Sequence, residues 1–162
     1  KVPAIVDRDN DLALMESGAI LLYLAKKTGK LLPENSADYW DALQWLMWQM
    51  SQLGPALGQH GHFALYAEDK IPYAIGRYRR ETLRLFKVLD TQLADNEYVA
   101  GADYTIADMA LWGWCSLWEG QQQTLDDKPH MKRWLDTVGA RPAVQKGRAL
   151  HAEHRRDPTA KR

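Results

Sequence analysis

One cysteine, Cys115, stands among 162 residues. An internal disulfide framework is therefore excluded, and the composition suits a reducing compartment, the cytoplasm. Charge of either sign is not in excess. The 21 Lys and Arg residues balance 21 Asp and Glu, for a formal net charge of zero at pH 7. That balance argues against a protein that grips nucleic acid or another polyanion by bulk charge. No apolar run approaches the roughly 20 residues that a membrane-spanning helix needs, so no membrane partner is expected. No signal-peptide pattern opens the chain, and no internal repeat or low-complexity tract follows it. Tryptophan, by contrast, is plentiful at seven residues, which suggests a helical core with large aromatic anchors or a broad apolar cleft. The length suffices for one domain, or one domain plus part of another, with a sizeable core.

Residues 2–7 read as a strand, Asp7-Arg8-Asp9-Asn10-Asp11 as a polar turn and residues 12–15 as a short returning strand. From Ser17 the apolar residues Ile20, Leu21, Leu24 and Ala25 recur at helical spacing until Gly29. Leu32-Pro33-Glu34-Asn35-Ser36 is the clearest linker, and everything after Ala37 reads as helix. Trp40, Leu43, Leu46, Met47 and Met50 form one apolar stripe, and Gly54-Pro55 is expected to bend or interrupt that helix. Pro72 suits a first helical turn, opening a long helix that carries Ile75, Tyr78, Leu83, Phe86 and Leu89. Residues 105–118 are apolar nearly all round, the pattern of a central buried helix. A further helix covers 131–138, Arg141-Pro142 starts a last short one, and the polar stretch 151–162 is expected to fray.

Two short signals near the start point to chemistry. Val2-Pro3 places a proline at the edge of a strand, and Glu16-Ser17-Gly18-Ala19-Ile20 places a carboxylate and a hydroxyl at a helix start. A strand edge can pair with the backbone of a peptide-like ligand. A helix N-terminus offers unpaired N–H groups and partial positive charge to a carboxylate, and Glu16 can accept from an ammonium group. A small peptide with an α-amino-acid head fits both, and glutathione is one. The plainer alternatives are an ordinary strand-edge proline and plain helix capping by Glu16 and Ser17.

The chain resembles the glutathione transferase family at these residues. Lys1-Val2-Pro3-Ala4 is similar to that family's signature at the third strand of its thioredoxin-like domain, where the proline is cis. Glu16-Ser17-Gly18-Ala19-Ile20 is similar to its glutathione-binding helix start. Ala102-Asp103-Tyr104-Thr105-Ile106-Ala107-Asp108 resembles the capping box of the core helix in its all-helical domain. Trp45-Leu46-Met47-Trp48-Gln49, Leu57-Gly58-Gln59 and Ile71-Pro72-Tyr73-Ala74-Ile75 look most like the bacterial Nu class, which is also similar to the fungal prion-forming nitrogen regulators. The fold class implied is mostly α: the remnant of a thioredoxin-like α/β domain (1–31), a linker (32–36), an all-helical domain (37–150) and a polar tail (151–162). The strand–helix–strand–helix unit that begins the family fold is not supplied, so an N-terminal portion is expected to be missing.

The resemblance implies glutathione as co-substrate, held by Lys1, Val2, Pro3, Glu16 and Ser17. Lys1 would reach the glycyl carboxylate, Val2 would pair with the cysteinyl backbone, and Ser17 and Glu16 would take the γ-glutamyl carboxylate and ammonium. The implied activity adds the glutathione thiolate to an electrophile or exchanges it with a disulfide, and the Nu-class likeness leans towards disulfide and peroxide reduction. A non-catalytic glutathione-binding or regulatory protein of the same fold, or an inactive fragment, is the alternative. The family's thiol-activating group lies on its first strand or first helix, so no catalytic residue is assigned. A homodimer is implied as well.

Other residues carry weaker signals. Gln59-His60-Gly61-His62 holds two histidines, but no third ligand at metal-binding spacing, so no metal is expected. A solvated loop or the mouth of a substrate cleft are the remaining uses, and His151 and His154 have a weaker claim still. Arg77, Tyr78 and Arg84 read as a solvated helix face. Cys115 reads as a core thiol, and Trp112, Trp114 and Trp118 as packing. Thr105 and Asp108 match a capping box and serve folding.

Overall fold

The hairpin that opens the chain is set by its turn. In the computed structural model, which describes residues 2–34 and 36–150, strand β1 (Ala4–Asp7) runs antiparallel to β2 (Leu12–Met15). The register is Ala4 opposite Met15, Ile5 opposite Leu14, Val6 opposite Ala13 and Asp7 opposite Leu12. Asp7 accepts from the Asp9 amide at 3.0 Å and Asn10 from the Leu12 amide at 3.2 Å, while Asp11 takes a left-handed φ of 54°. Short polar side chains that bond their own backbone tolerate that conformation. The strand starts at Ala4 rather than Val2, and the Val2–Pro3 peptide before it is cis.

Helix α1 (Ser17–Thr28) follows directly and ends at Gly29, whose φ of 64° makes the left-handed stop that glycine allows. The hairpin is clamped to it. The Tyr23 hydroxyl donates to Asp7 at 2.5 Å, and Lys27 pairs with Asp7 and with Asp9. These donors, Lys27 foremost and Tyr23 next, hold the Asp7 carboxyl down at about 2, below the value near 4 of an unfolded aspartate. The clamp therefore stabilises the fold fully above about pH 4 and is lost as pH falls towards about 2. Asp7→Asn should melt below wild type at pH 7, with the gap closing between about pH 4 and pH 2. A gap in Tm that stays constant across that range contradicts the clamp.

Helix α2 (Ala37–Trp48) is capped by Ser36, which accepts from the Tyr39 amide at 3.4 Å. The interruption expected at Gly54-Pro55 takes the form of a π-helical turn. That turn (Gln49–Leu53) widens the coil and runs straight into α3 (Gly54–Gly61), with Gly54 donating five residues back to Gln49. Pro55 has no N–H, and its ring would strike the carbonyl four residues earlier, so the turn before it dilates instead of snapping. A second π-helical turn (His62–Tyr66) ends this column, with the Ala67 amide bonded to the His62 carbonyl at 2.7 Å.

The long α4 (Pro72–Gln92) opens on Pro72, as expected, and leaves Arg79, Arg80, Arg84 and Lys87 in solvent. Arg133 from α6 (Pro129–Gly139) donates to the carbonyls of Leu93 and Asn96 at 2.8 Å and of Glu97 at 3.2 Å. A cation thus sits at the negative end of α4. Helix α5 (Ile106–Cys115) lies at the centre, and α7 (Pro142–Ala149) closes the described chain. Leu46, Leu53, Leu57, Leu85, Phe86, Leu89, Ile106, Leu111, Met131 and Trp134 are buried in one core. The fold is mostly helical with a two-stranded remnant, as the sequence implied.

Two expectations are corrected. The stripe on α2 is not buried throughout: Trp40 is 65% and Met47 is 47% exposed, while Ala42 and Leu46 face the core. Helix α5 ends at Cys115, short of residue 118, while its buried character holds, with Ile106, Ala107, Asp108, Leu111, Trp112 and Cys115 all enclosed.

The buried end of α5 carries the capping box. Thr105 Oγ1 accepts from the Ala107 amide at 3.3 Å, and Asp108 Oδ2 accepts from the Thr105 amide at 2.9 Å. Asp108 does more than cap. Its Oδ1 also accepts from the Val99 amide and from Trp134 Nε1, both at 2.9 Å. One carboxylate thereby joins α5, α6 and the segment between α4 and α5. Burial pushes its pKa up, and the donors from Val99, Thr105 and Trp134 pull it back.

Candidate functional site

Ala4 faces Met15 in the last pair of the ladder, so Pro3 and Glu16 are the residues that adjoin that pair at the open end of the hairpin. The Val2–Pro3 bond there is cis, and Val2 is 93% exposed. Glu16 adopts φ 70° and ψ 116°. A non-glycine residue in that region costs on the order of 1–3 kcal/mol, and such residues cluster at functional sites. The twist lets the Glu16 carbonyl accept from the Ile20 amide at 2.9 Å, so the helix begins at once.

The capping alternative does not describe this end. Neither Glu16 nor any other side chain caps α1, and its first turn has no acidic residue. The first N–H groups of α1 are thus left without a side-chain acceptor among the described residues, the environment that an anionic ligand group seeks. The Ser17 hydroxyl, half-buried, reaches only the thioether sulfur of Met50 at 3.7 Å.

Met50 was not singled out as a site residue, and its position depends on the π-helical turn. That turn aims its side chain at α1, where a Cβ on Gly18 would come within 3.1 Å of Met50 Cγ. Gly18 is needed for this close approach. The Gly54-Pro55 pair was the signal that could have located it.

Lys1 lies outside the described residues, as do His151 and His154. His60 does not lie in a solvated loop or at a cleft mouth. It is 1% exposed within α3, and Nε2 donates to the Gln121 carbonyl at 2.9 Å. Burial holds its imidazole below the ordinary value. His62 is exposed and meets Phe63 edge-on. Among the described residues no cluster of three or more His, Cys, Asp or Glu could hold a metal. Cys115 is buried, and burial drives its thiol above the ordinary range, so it is no nucleophile. Arg84 is forked onto Glu81 at 2.7 and 2.9 Å, and Tyr78 stacks on Phe63 with ring centres 5.7 Å apart.

Known proteins match both parts of the chain. The family model "Glutathione S-transferase, C-terminal domain" covers residues 49–142. The disulfide-bond oxidoreductase YfcG of Escherichia coli (strain K12) is 46% identical over 155 aligned residues, a match that covers 93% of this chain and 71% of the relative. The chain belongs to the glutathione S-transferase family. A crystal structure of the glutathione transferase YghU from Streptococcus pneumoniae, complexed with glutathione, superposes with a TM-score of 0.86 at 37% identity. It is matched over 93% of this chain and 61% of its own. A glutathione transferase from Burkholderia graminis with two glutathione molecules bound per subunit gives 0.86 at 39% identity, over 93% of this chain and 68% of its own. This family member thus spans about two thirds of the length of the relatives it matches. Among the described residues no helix is long and apolar enough to cross a membrane.

Proposed function

We propose that this chain binds glutathione at the open end of the hairpin and uses its thiol to reduce disulfides, with peroxide reduction or conjugation to an electrophile as related outcomes. The observation that carries this is the strained Glu16, which follows the last paired residue of β2 and leads into a helix tip that its side chain does not cap, at the hairpin end where Pro3 precedes β1. The backbone of Val2 would pair with the cysteinyl unit. Ser17 and the first N–H groups of α1 would take the γ-glutamyl carboxylate, and Glu16 the ammonium. Lys1 is the proposed partner of the glycyl carboxylate. A free thiol is only a few per cent ionised at neutral pH, so turnover needs a further group to activate the sulfur. No residue of this chain is proposed for that role. The lean towards disulfides draws on the similar oxidoreductase and on the relative that holds two glutathione molecules in one subunit, as a disulfide substrate would require. The Nu class is the branch we favour.

Retention on immobilised glutathione, combined with turnover of a glutathione mixed disulfide, tests this. Retention with turnover is expected. Retention without turnover would favour a binding or regulatory protein of the same fold, and neither would remove glutathione from the account.

We infer a cytoplasmic homodimer. Trp40 and Met47 present exposed apolar surface on one helix, and burying such side chains is favourable by about 1.5–3 kcal/mol each. Light scattering should give twice the chain mass, and a monomer mass would refute the pairing.

A further inference from the structure

We propose that Met50 is an oxidation site whose redox state decides whether the Ser17 hydroxyl is available to a ligand carboxylate; this rests on the glutathione reading given under Proposed function. Met50 projects from the π-helical turn onto the first turn of α1, with Sδ 3.7 Å from Ser17 Oγ. A thioether is a weak acceptor, so it holds the hydroxyl loosely and yields it to a carboxylate at little cost. The sulfur packs this closely because residue 18 is glycine: a Cβ there would meet Cγ, Cε and Sδ of Met50 at 3.1, 3.2 and 3.3 Å. Met50 is only half-buried, whereas Met131 is fully enclosed. Met50 is therefore the more accessible of the two to a small hydroperoxide.

The step is an oxygen transfer. A sulfur lone pair attacks the terminal peroxide oxygen, an S–O bond forms and the O–O bond breaks. The alcohol (or water, from hydrogen peroxide) leaves with the proton. The thioether is oxidised by two electrons, and the peroxide is reduced by two. The sulfoxide oxygen that results is polar and a far better acceptor than the thioether. It stands beside the Ser17 donor and brings partial negative charge to the place proposed for the carboxylate. The oxidised protein should hold Ser17 to itself and release glutathione. Methionine sulfoxide reductase, which returns the sulfoxide to the thioether, should restore binding.

The test uses the full chain with Met15→Leu, Met47→Leu and Met109→Leu, which removes two exposed methionines and the other half-buried one. It is treated with hydrogen peroxide, and Met50 and Met131 are followed by peptide mass spectrometry. Glutathione affinity is measured by calorimetry, and the Ser17 and Gly18 amides by NMR. Oxygen is expected on Met50 and not on Met131, with both amide resonances displaced. Glutathione should bind about tenfold more weakly, the worth of one hydrogen bond to a charged group, and recover after reductase treatment. With Met50→Leu added, the affinity of that variant should be the same before and after peroxide. The proposal is overturned if Met50 sulfoxide leaves the two amides in place, if Met50→Leu loses affinity equally, or if Met50 stays reduced. A chain that binds no glutathione before oxidation sinks the glutathione reading instead, and the two amides still decide whether the oxidised sulfur captures Ser17.

Discussion

Asp108→Ala should lower the melting temperature by on the order of 10 °C. The substitution strips the acceptor from the Thr105 amide, the Val99 amide and Trp134 Nε1. Thr105 and Trp134 are buried, as is Val99, so water does not replace the lost partner. Each orphaned buried donor costs about 1–3 kcal/mol, and the cavity adds to that. A total of about 3–5 kcal/mol is expected, at roughly 2–4 °C per kcal/mol for a chain of this size. Asp108→Asn should fall between wild type and alanine, because the amide keeps one acceptor oxygen and turns an N–H towards existing donors. Thermal unfolding followed by circular dichroism decides it. An alanine variant as stable as wild type would mean that the carboxylate does not hold the three segments together.

The second large effect separates binding from stability. Ser17→Ala should weaken glutathione binding by roughly 10- to 100-fold, the range for a hydrogen bond to a charged group. It should barely change Tm, since Ser17 donates only to a thioether. Glu16→Ala should weaken binding similarly, through loss of the ammonium partner. Glu16→Gly should do so while leaving the protein as stable as wild type or more so. Glycine accepts φ 70° without strain, a gain of about 1 kcal/mol that is partly offset by the freer unfolded chain. A residue kept in a strained conformation against stability is what a binding role predicts. Calorimetric titration and a melting curve on the same three variants test both halves. Unchanged affinity in Glu16→Ala would take that residue out of the site.

The parts that were legible in sequence share a physical character: their signals are local. The β2 boundaries, the Gly29 stop, the Pro72 start and the Thr105–Asp108 box each depend on residues within a few positions. What escaped depends on partners far along the chain. His60 sits between glycines and a second histidine, a composition that suggests a loop, yet the carbonyl that receives its proton belongs to Gln121, 61 positions away. Helical spacing on α2 marks Trp40 and Met47 as apolar but does not say which side of the helix meets the core; Ala42 and Leu46 do. The Asp108 box was readable as a cap, but its bonds to Val99 and Trp134 were not. At the proposed site, the closeness of the segments that hold Pro3 and Glu16 followed from a hairpin that the sequence already outlined. The approach of Met50 to Ser17 required the π-helical turn, and no period of 3.6 or 2 signals one.

The central claim is that the Val2–Pro3 segment and the tip of α1 together receive one molecule of glutathione. A crystal structure of the chain grown with that tripeptide is the direct measurement. The account predicts density for the γ-glutamyl head against Ser17 and Glu16, with the cysteinyl backbone alongside Val2. Glutathione seated elsewhere, with the α1 tip empty, would contradict it.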